Sequence, residues 1–370
     1  MLVMVHRLSQ TSNMTRNTPG YLQRSDGWGI GRAGSIKVKK ICLVGLVDGS
    51  GDFLTALERA FREIGFEVET HKIPCVWAFG KDYVNKLKVL FKEKSREQFL
   101  IFSPETTELF LKEADFTIIY SAYRSWFDQK KMRVIPHIWT PVGSPESTDH
   151  LEWTSKPPLR IGFMGRSFTN SRLSNFVEKL PAQVKQWLLR GSYLRNAAML
   201  GLMNDQGFSV KAINAFSRTE TMNALRENKK NYKNIELDIV EKRAFSGSER
   251  DKHEYINHLE ESTYVVCPRG TENYSFRAYE ALSRGKIPVI IDTDVVLPRE
   301  IDWDSLSVIV PYRSLGRIYE IILRDYESKS ASDFMARQKK AFASMAELRS
   351  LRWIKDMADE LGDVVRRQDR

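Results

Sequence analysis

At 370 residues, the chain is too long for one ordinary domain and long enough to build two hydrophobic cores. Its composition, 42% hydrophobic and 28% charged, is that of an ordinary soluble protein, and no run approaches the roughly 18 apolar residues of a transmembrane helix. The net charge of +10 predicts anionic partners. Because the positive residues are spread through the sequence rather than grouped in blocks, we expect no specific nucleic-acid partner.

The three cysteines, Cys42, Cys75 and Cys267, lie in or near apolar, strand-like runs. Their odd number and unpaired spacing argue against a disulfide framework or a zinc site and indicate a reducing compartment. We therefore expect a cytoplasmic protein, with peripheral contact at an anionic membrane surface as the alternative. Residues 1–36 are rich in Arg, Ser, Thr, Asn and Gly, which predicts a disordered tail, with a transit peptide as the alternative.

The first predicted domain, residues 37–140, begins with a buried strand, a short loop and a helix. The strand is Lys40–Val47, the loop Asp48–Asp52, and the amphipathic helix Phe53–Ile64, which Gly65 closes. The loop lacks the GxGxxG dinucleotide fingerprint, so we interpret it as an acceptor-side or catalytic loop. Strands and helices continue to alternate with short connections, which predicts a parallel, doubly wound sheet. The further strands are Phe66–Ile73, Phe116–Ser121 and Arg133–Trp139, and the further helices Asp82–Lys94 and Glu105–Glu113.

Proline and polar residues without periodicity fill positions 141–158, which predicts a linker. A second α/β domain follows over residues 159–330, opening with the strand Leu159–Gly165. Arg166 stands where this strand passes into a loop, a natural position for binding phosphate. Its other predicted elements are helices around Arg172–Arg190, Glu220–Asn228 and Arg250–Ser262, and strands near Phe208–Phe216 and at Leu306–Val310.

The most informative stretch of this domain is a strand, a loop, a helix and a second strand. Thr263–Cys267 is a short β-branched run that Pro268 ends, and apolar positions over Tyr274–Arg284 follow helical spacing up to Gly285. Ile287–Ile291 is the next buried strand. Two buried strands joined by a helix form a right-handed parallel βαβ unit, and such units bind ligands at the carboxyl ends of their strands.

The connecting loop carries residues suited to an anion. Arg269 and Arg277 flank a turn that contains Gly270 and Ser275, and the turn leads into a helix N-terminus with free N–H groups and a positive dipole. A diphosphate would fit there. Glu280 lies three residues after Arg277, on the same helical face, where its carboxylate could accept hydrogen bonds from the hydroxyls of a ribose. The alternative is that Arg277 and Glu280 form an ordinary exposed ion pair.

The run CPRG, then SFRxYEAL, GxIPVII, LP and IDW resembles the nucleotide-sugar-binding half of the exostosin family, glycosyltransferase family 47. The residues that carry the resemblance are Cys267–Gly270, Ser275–Leu282, Gly285–Ile291, Leu297–Pro298 and Ile301–Trp303. Weaker agreement extends back to Ile161–Gly165 and Arg172. One departure is Lys286, where the family commonly has cysteine; this residue begins a strand, so donor binding should be unaffected.

The resemblance implies the GT-B fold, with two doubly wound, Rossmann-like domains facing a cleft. Residues 331–370, predicted to be helical over Ala331–Arg366, would form C-terminal helices that cross back to the first, acceptor-side domain. It also implies an inverting glycosyltransferase that uses a UDP-sugar as co-substrate, no other cofactor, and a glycan or other hydroxyl acceptor. The expected donor-binding residues are Arg166, Arg172, Arg269, Gly270, Ser275, Phe276, Arg277 and Glu280.

An inverting transfer needs a base that removes the acceptor proton from the side opposite the leaving diphosphate. The candidates are Asp48 and Asp52 in the first loop, then His71, His137 and Glu105. For the two histidines, a capping or partly buried role is the alternative, because most histidines are not catalytic.

No metal is expected, although Asp292-Thr-Asp294 and Asp302-Trp-Asp304 both fit the DxD pattern that holds Mn²⁺ or Mg²⁺ against a diphosphate. Two matches within a dozen residues show how unspecific the pattern is. His253 and His258, five residues apart, lie on different sides of a helix and make a poor metal pair. Two other functions stay open: a catalytically inactive nucleotide-sugar-binding partner subunit, and a nucleic-acid binder with steep salt dependence.

Overall fold

Two five-stranded parallel β-sheets form the framework of the protein. The computed structural model describes residues 40–47, 51–74, 98–103, 115–120, 122–124, 127–138, 140, 142–165, 208–241, 248–270 and 273–367. The first sheet has the order β2-β1-β3-β4-β5 and contains β1 (Lys40–Val47), β2 (Glu67–Pro74), β3 (Gln98–Ser103), β4 (Phe116–Ile119) and β5 (Met132–Val134).

The start of the first sheet follows from its apolar pattern. Residues 41–44 of β1 are fully buried, and the chain then forms α1 (Gly51–Glu63), whose Phe53, Leu57 and Phe61 are also fully buried. Gly65 has a φ of +93°, a left-handed conformation that favours glycine, and it turns the chain back into β2. The strand and helix predictions for this region are confirmed, except that α1 already begins at Gly51 and so takes in the end of the predicted Asp48–Asp52 loop.

The second sheet has the order β10-β9-β8-β6-β7, again with every strand parallel to its neighbours. Its strands are β6 (Arg160–Gly165), β7 (Glu236–Glu241), β8 (Tyr264–Cys267), β9 (Ile287–Asp292) and β10 (Val308–Pro311). The chain winds in one direction from β6 to β7 and in the other from β8 to β10. The strand order therefore reverses between β6 and β8, the place where such sheets bind ligands.

Seven further helices follow α1 along the chain within the described residues. They are α2 (Phe208–Lys229), α3 (Glu249–Glu261), α4 (Phe276–Ser283), α5 (Trp303–Leu306), α6 (Ile318–Glu327), α7 (Ala331–Arg349) and α8 (Arg352–Arg367). Short 3₁₀ helices lie at Asp149–Leu151 and Tyr312–Arg317. No helix of the described residues is long and apolar enough to cross a membrane.

One element prediction is wrong, and the strand at the edge of the second sheet was not predicted. Phe208–Phe216 is not a strand but the beginning of α2, which continues without a break to Met222 and Leu225, a fully buried pair at helical spacing. The edge strand is instead β7, which pairs with β6 along its whole length. The C-terminal region, predicted to be helical over Ala331–Arg366, divides into α7 and α8, because Leu351 adopts a φ of +59° between them.

Smaller differences concern strand ends and one strand that the sequence did not predict. β3, in the middle of the first sheet, pairs with both β1 and β4, whereas β5 ends at Val134, well before the expected Trp139. The predicted helices Asp82–Lys94, Glu105–Glu113 and Arg172–Arg190 lie outside the described residues.

The C-terminal helices connect the two sheets. α7 packs against α4 of the second sheet, whereas α8 packs against α1 of the first, with the rings of Phe53 and Trp353 stacked 6.0 Å apart. Two doubly wound parallel sheets with C-terminal helices that return to the first sheet are the architecture expected from the sequence. The GT-B prediction is thereby confirmed.

Candidate functional site

The loop after β8 and the N-terminus of α4 lie at the point where the second sheet reverses its strand order. β6 and β8 are neighbours there, with Gly162 opposite Val265. Ser275 is the N-cap residue of α4, with an extended backbone (φ −133°), and its hydroxyl does not cap the helix. Because α4 begins shortly after the carboxyl end of β8, its first N–H groups lie at that edge of the sheet, as a site for an anion requires.

Arg277 reaches from the first turn of α4 to the end of β6. Its Nη2 donates to the carbonyl oxygen of Met164 at 2.7 Å, and its guanidinium lies 4.6 Å from the ring centre of Phe163. Gly165 makes room for it, because a Cβ at that position would come within 2.6 Å of Nη2. The side chain is half-buried and held in one direction, so its positive charge has a fixed place at the strand end.

Glu280 lies one turn deeper than Arg277 and is only 3% exposed. Its Oε2 accepts a hydrogen bond of 2.6 Å from the hydroxyl of Tyr255, which comes from α3. Burial raises the pKa of Tyr255, which keeps the phenol protonated as the donor. The exposed ion pair considered for Arg277 and Glu280 is therefore wrong. The contact of Glu280 with a ribose stays a prediction.

Arg269, in the loop itself, is 2% exposed and points toward the first sheet. Its Nη2 donates to the hydroxyl of Tyr123, and its guanidinium lies 5.2 Å from the centre of the same ring. The loop is closed by a 2.7 Å hydrogen bond from the Gly270 N–H to the Tyr274 carbonyl. Asn273 also holds the loop in place, because its Nδ2 donates to two backbone carbonyls. One belongs to Ala122, which follows β4, and the other to Thr293, which follows β9.

A group of aromatic rings lies beside the start of α4. Phe276 is 40% exposed, the one large hydrophobic side chain exposed in the described part of the chain. The ring of His137, just beyond β5, lies 4.5 Å from that of Phe276 and 4.2 Å from that of Tyr120. Burial lowers the pKa of His137 to about 4, so its imidazole is neutral at pH 7. The same burial makes this imidazole a weak base, because it disfavours the protonated form.

The Asp292-Thr-Asp294 triplet is occupied by contacts to the first sheet. Arg124 donates to both carboxylate oxygens of Asp292 at 2.8 Å, and its backbone N–H donates to the carbonyl of Asp294 at 2.9 Å. Asp292 also accepts from the backbone N–H of Asp294, whose φ is +68°. The other DxD match is used locally, since Asp302 accepts from Lys340 and caps α5.

A cavity of about 20 Å³ borders Arg269 and Ser275, room for about one water molecule. A diphosphate is larger than this space.

Of the remaining predicted site residues, His71 and Asp52 lie within the described part of the chain. His71 lies on β2, at the opposite edge of the first sheet from β5, and pairs with Glu69 at 3.0 Å. Asp52 is the second residue of α1, so it lies at that helix's N-terminus, after β1. Asp48, Glu105, Arg166 and Arg172 lie outside the described residues.

The two other histidines considered do not form a pair. His258 is buried and its Nε2 lies 3.2 Å from the Asp238 carbonyl, whereas His253 is exposed and contacts the Glu249 carbonyl. No group of three or more His, Cys, Asp or Glu side chains that could hold a metal ion occurs within the described residues.

Sequence reasoning missed Tyr123, Arg124 and Tyr255. The first two follow β4 directly, and a Tyr-Arg pair at the carboxyl end of a predicted parallel strand is the signal that could have found them. Tyr255 has no such signal, because its partner Glu280 is 25 residues away.

Comparison with known proteins matches residues 207–324 to the Exostosin GT47 domain. An exostosin-1 homolog from Caenorhabditis elegans is 38% identical over 77 residues, 20% of each chain. Exostosin-1 of Drosophila melanogaster is 38% identical over 76 residues, which are 20% of this chain and 10% of that protein. A probable glucuronosyltransferase from Oryza sativa subsp. japonica is 37% identical over 70 residues, 18% of this chain and 16% of that protein. The chain thus aligns with a fifth or less of these relatives.

Solved structures similar in outline include a glycosyltransferase from Rickettsia africae, with a TM-score of 0.36 and 10% identity over 89% of this chain and 99% of that one. The sucrose-phosphate synthase of Thermosynechococcus elongatus has a TM-score of 0.38 and 13% identity over the same shares. These likenesses are distant, whereas the domain match contains the whole signature from Thr263 to Trp303. Residues 207–324 thus match the family that the signature predicted.

Proposed function

We propose that this chain is a glycosyltransferase that moves the sugar of a UDP-sugar donor to a hydroxyl group of a glycan or other acceptor and releases UDP. The observation that supports it is the fixed guanidinium of Arg277 beside the uncapped N-terminus of α4, at the strand-order reversal of a GT47 domain. Positive charge and N–H groups at that place suit a diphosphate, whose negative charge grows as the donor bond breaks.

In the proposed inverting transfer, the acceptor oxygen attacks the anomeric carbon of the sugar. The new C–O bond forms as the bond from that carbon to the β-phosphate oxygen breaks. The electron pair leaves with UDP and the hydroxyl proton goes to the base. Arg277 and the helix N-terminus would stabilise UDP, and Arg269 would add its buried charge from behind the loop.

The base would come from the first sheet. Among the described candidates, His137 is the best placed, because its ring lies against Phe276 at the start of α4, whereas His71 lies at the far edge of the sheet. Its lowered pKa counts against it, because a group with a pKa of about 4 is a weak base at pH 7. Asp48 and Asp52 remain candidates from the loop after β1.

Metal-free chemistry is part of the proposal. Asp292 already accepts two hydrogen bonds from Arg124, and the positive charges at the loop stand where a divalent cation would otherwise neutralise the diphosphate. The rice relatives are described as probable glucuronosyltransferases, which makes UDP-glucuronic acid the first donor to test.

The decisive experiment measures UDP, UDP-glucuronic acid and UDP-glucose binding by calorimetry, followed by transfer assays with the donor that binds. We expect Arg277→Ala to weaken UDP binding by about 1.5–3 kcal/mol, the range for a hydrogen bond to a charged group. The matched control is Arg324→Ala, which removes an exposed arginine of α6 and should leave UDP affinity unchanged.

Because Arg277 is half-buried, Arg277→Lys is made alongside to retain the charge and part of the packing. It should bind UDP more tightly than Arg277→Ala. If the wild-type protein binds none of the nucleoside diphosphates tested, the proposed function is wrong. If the wild-type protein binds UDP and both Arg277 variants bind it as tightly as the wild type does, the anion role of Arg277 is wrong.

A further inference from the structure

The segment Ala122–Arg124 follows β4 of the first sheet and contacts the segment that follows β9 of the second sheet. Tyr123 pairs there with Val295 in an antiparallel β-bridge. Backbone hydrogen bonds flank the bridge, from the Val296 N–H to the Ala122 carbonyl at 3.1 Å and from Arg124 to Asp294. The first sheet thus touches the second through paired backbone groups directly beside the signature loop.

The side chain of Tyr123 meets the buried guanidinium of Arg269 in two ways. Its hydroxyl accepts a hydrogen bond from Nη2, and its ring lies within cation–π distance of the guanidinium carbon. Both side chains are nearly inaccessible to water, with exposures of 4% and 2%. A hydrogen bond from a charged group in such a place is stronger than one at the surface, because water does not compete for it.

Arg269 in turn fixes the start of the loop. It precedes Gly270, whose N–H closes the loop onto Tyr274, and the loop leads straight to the N-cap Ser275. Arginine has several rotatable bonds and costs conformational entropy when it is held in one place. Tyr123 reduces the number of arrangements available to Arg269, and through it to the loop that presents the N–H groups of α4.

We propose that Tyr123 is a positioning residue of the donor site: by binding Arg269 across the two sheets, it holds the loop and its positive charge in the geometry that receives the donor diphosphate. This inference rests on the proposed function. Because the two partners belong to different sheets, donor binding and the contact between the sheets are linked, and each strengthens the other.

The test compares Tyr123→Phe, which keeps the ring and removes the hydroxyl, with Tyr123→Leu, which removes both contacts. Calorimetry measures the dissociation constants of UDP, inorganic pyrophosphate and uridine for each protein. Tyr326→Phe is the matched control, since it removes a hydroxyl that donates to Pro157 at 2.8 Å, away from the loop.

We expect Tyr123→Phe to weaken UDP and pyrophosphate binding roughly tenfold, as loss of a hydrogen bond to a charged group does, with uridine binding unchanged. Tyr123→Leu should weaken the two anions further. Tyr326→Phe should bind all three ligands as the wild type does. A purely structural role would lower the affinity for uridine along with that for pyrophosphate.

The possible failures are distinguishable. A wild-type protein that binds neither UDP nor pyrophosphate overturns the proposed function and this inference together. A wild type that binds UDP, with Tyr123→Phe and Tyr123→Leu both indistinguishable from it, overturns the inference alone. So does a loss of affinity in Tyr123→Phe that is equal for uridine and pyrophosphate.

Discussion

At the scale of single residues, the position of Arg277 depends on Gly165 as well as on its own contacts, because a side chain at residue 165 would occupy the space of the guanidinium. Gly165 ends β6 beneath the guanidinium, and the surrounding atoms of Phe163 and Arg277 leave no room for a Cβ. The collision would be with the far end of a flexible side chain, which can move aside at little cost. The consequence of a larger residue would therefore appear in the position of Arg277 rather than in the fold.

We predict that Gly165→Ala weakens UDP binding by about 1 kcal/mol or more while the melting temperature changes little, because Arg277 loses its bond to Met164. Calorimetry and thermal unfolding check the two halves of the statement. Gly316→Ala is the control, since a Cβ there meets nothing within 4 Å. Unchanged UDP affinity in Gly165→Ala would show that the guanidinium need not lie over the strand end.

His137 predicts a pH dependence of stability. Burial lowers the pKa of its imidazole to about 4, whereas an unfolded histidine titrates near 6.5. Between these values the unfolded state binds more protons than the folded state, so stability falls as the pH is lowered from about 6.5 towards 4. The loss from this residue alone should be about 2 kcal/mol by pH 5.

The measurement is the free energy of unfolding at pH 7 and pH 5, from urea denaturation. His137→Gln should lose less stability on acidification than the wild type, because the buried group that resists protonation is gone. His253→Gln, which alters an exposed histidine of α3, should follow the wild type. Equal acid sensitivity in His137→Gln and the wild type would contradict the lowered pKa.

At the scale of elements, the signature helix α4 ends at a glycine that two constraints require. Gly285 has a φ of +66°, and a Cβ on it would lie 2.5 Å from Gln338 and 2.6 Å from the ring of Phe342, both in α7. The turn is thus packed under the C-terminal helix. Backbone conformation and close approach both exclude a side chain.

We predict that Gly285→Ala lowers the free energy of unfolding by about 3 kcal/mol or more, the sum of left-handed strain and overpacking. Gly65→Ala is a matched control, because Gly65 also has a positive φ but a Cβ there would meet nothing within 4 Å. It should cost only the strain, about 1–2 kcal/mol. If both variants lost the same free energy of unfolding, the side chains of α7 would be able to move away from a Cβ at residue 285 without an energetic cost.

At the scale of the whole molecule, charged side chains join the two sheets on both sides of the site. Arg133, on β5, donates to Glu300 beyond β9 and to Glu360 of α8, each at 2.6 Å. The Nη2 of Arg124 lies 2.8 Å from both carboxylate oxygens of Asp292. The carboxylates of Asp292 and Asp294 therefore take part in the contact between the two sheets.

We predict that Asp292→Asn affects stability rather than metal dependence. A double-mutant cycle with Arg124→Gln, measured by urea unfolding, should give a coupling energy of about 1 kcal/mol or less, because the pair is partly exposed. Sugar transfer by the wild type should survive EDTA. Activity that EDTA abolishes and Mn²⁺ restores in the wild type, but not in Asp292→Asn, would instead assign the triplet to a metal.

The sequence by itself determined the local parts of this protein, because their causes are local. Apolar periodicity predicted β1, α1, α4 and β9, and the glycines at 65 and 285 marked the turns. The ordered run from Cys267 to Trp303 indicated the family whose model matches residues 207–324. Where two periodicities compete the sequence failed, as at Phe208–Phe216, because only the completed sheet leaves β7 as the strand that pairs with β6.

Only the tertiary structure decided which distant residues meet. Arg269 faces Tyr123, 146 residues away, and Asp292 faces Arg124, 168 residues away. No pattern in the sequence encodes such pairs, because they depend on how two separately wound sheets are set against each other. The same reason explains why Glu280 is a buried partner of Tyr255 rather than the exposed half of an ion pair: its surroundings are supplied by another helix, which the spacing along its own helix does not reveal.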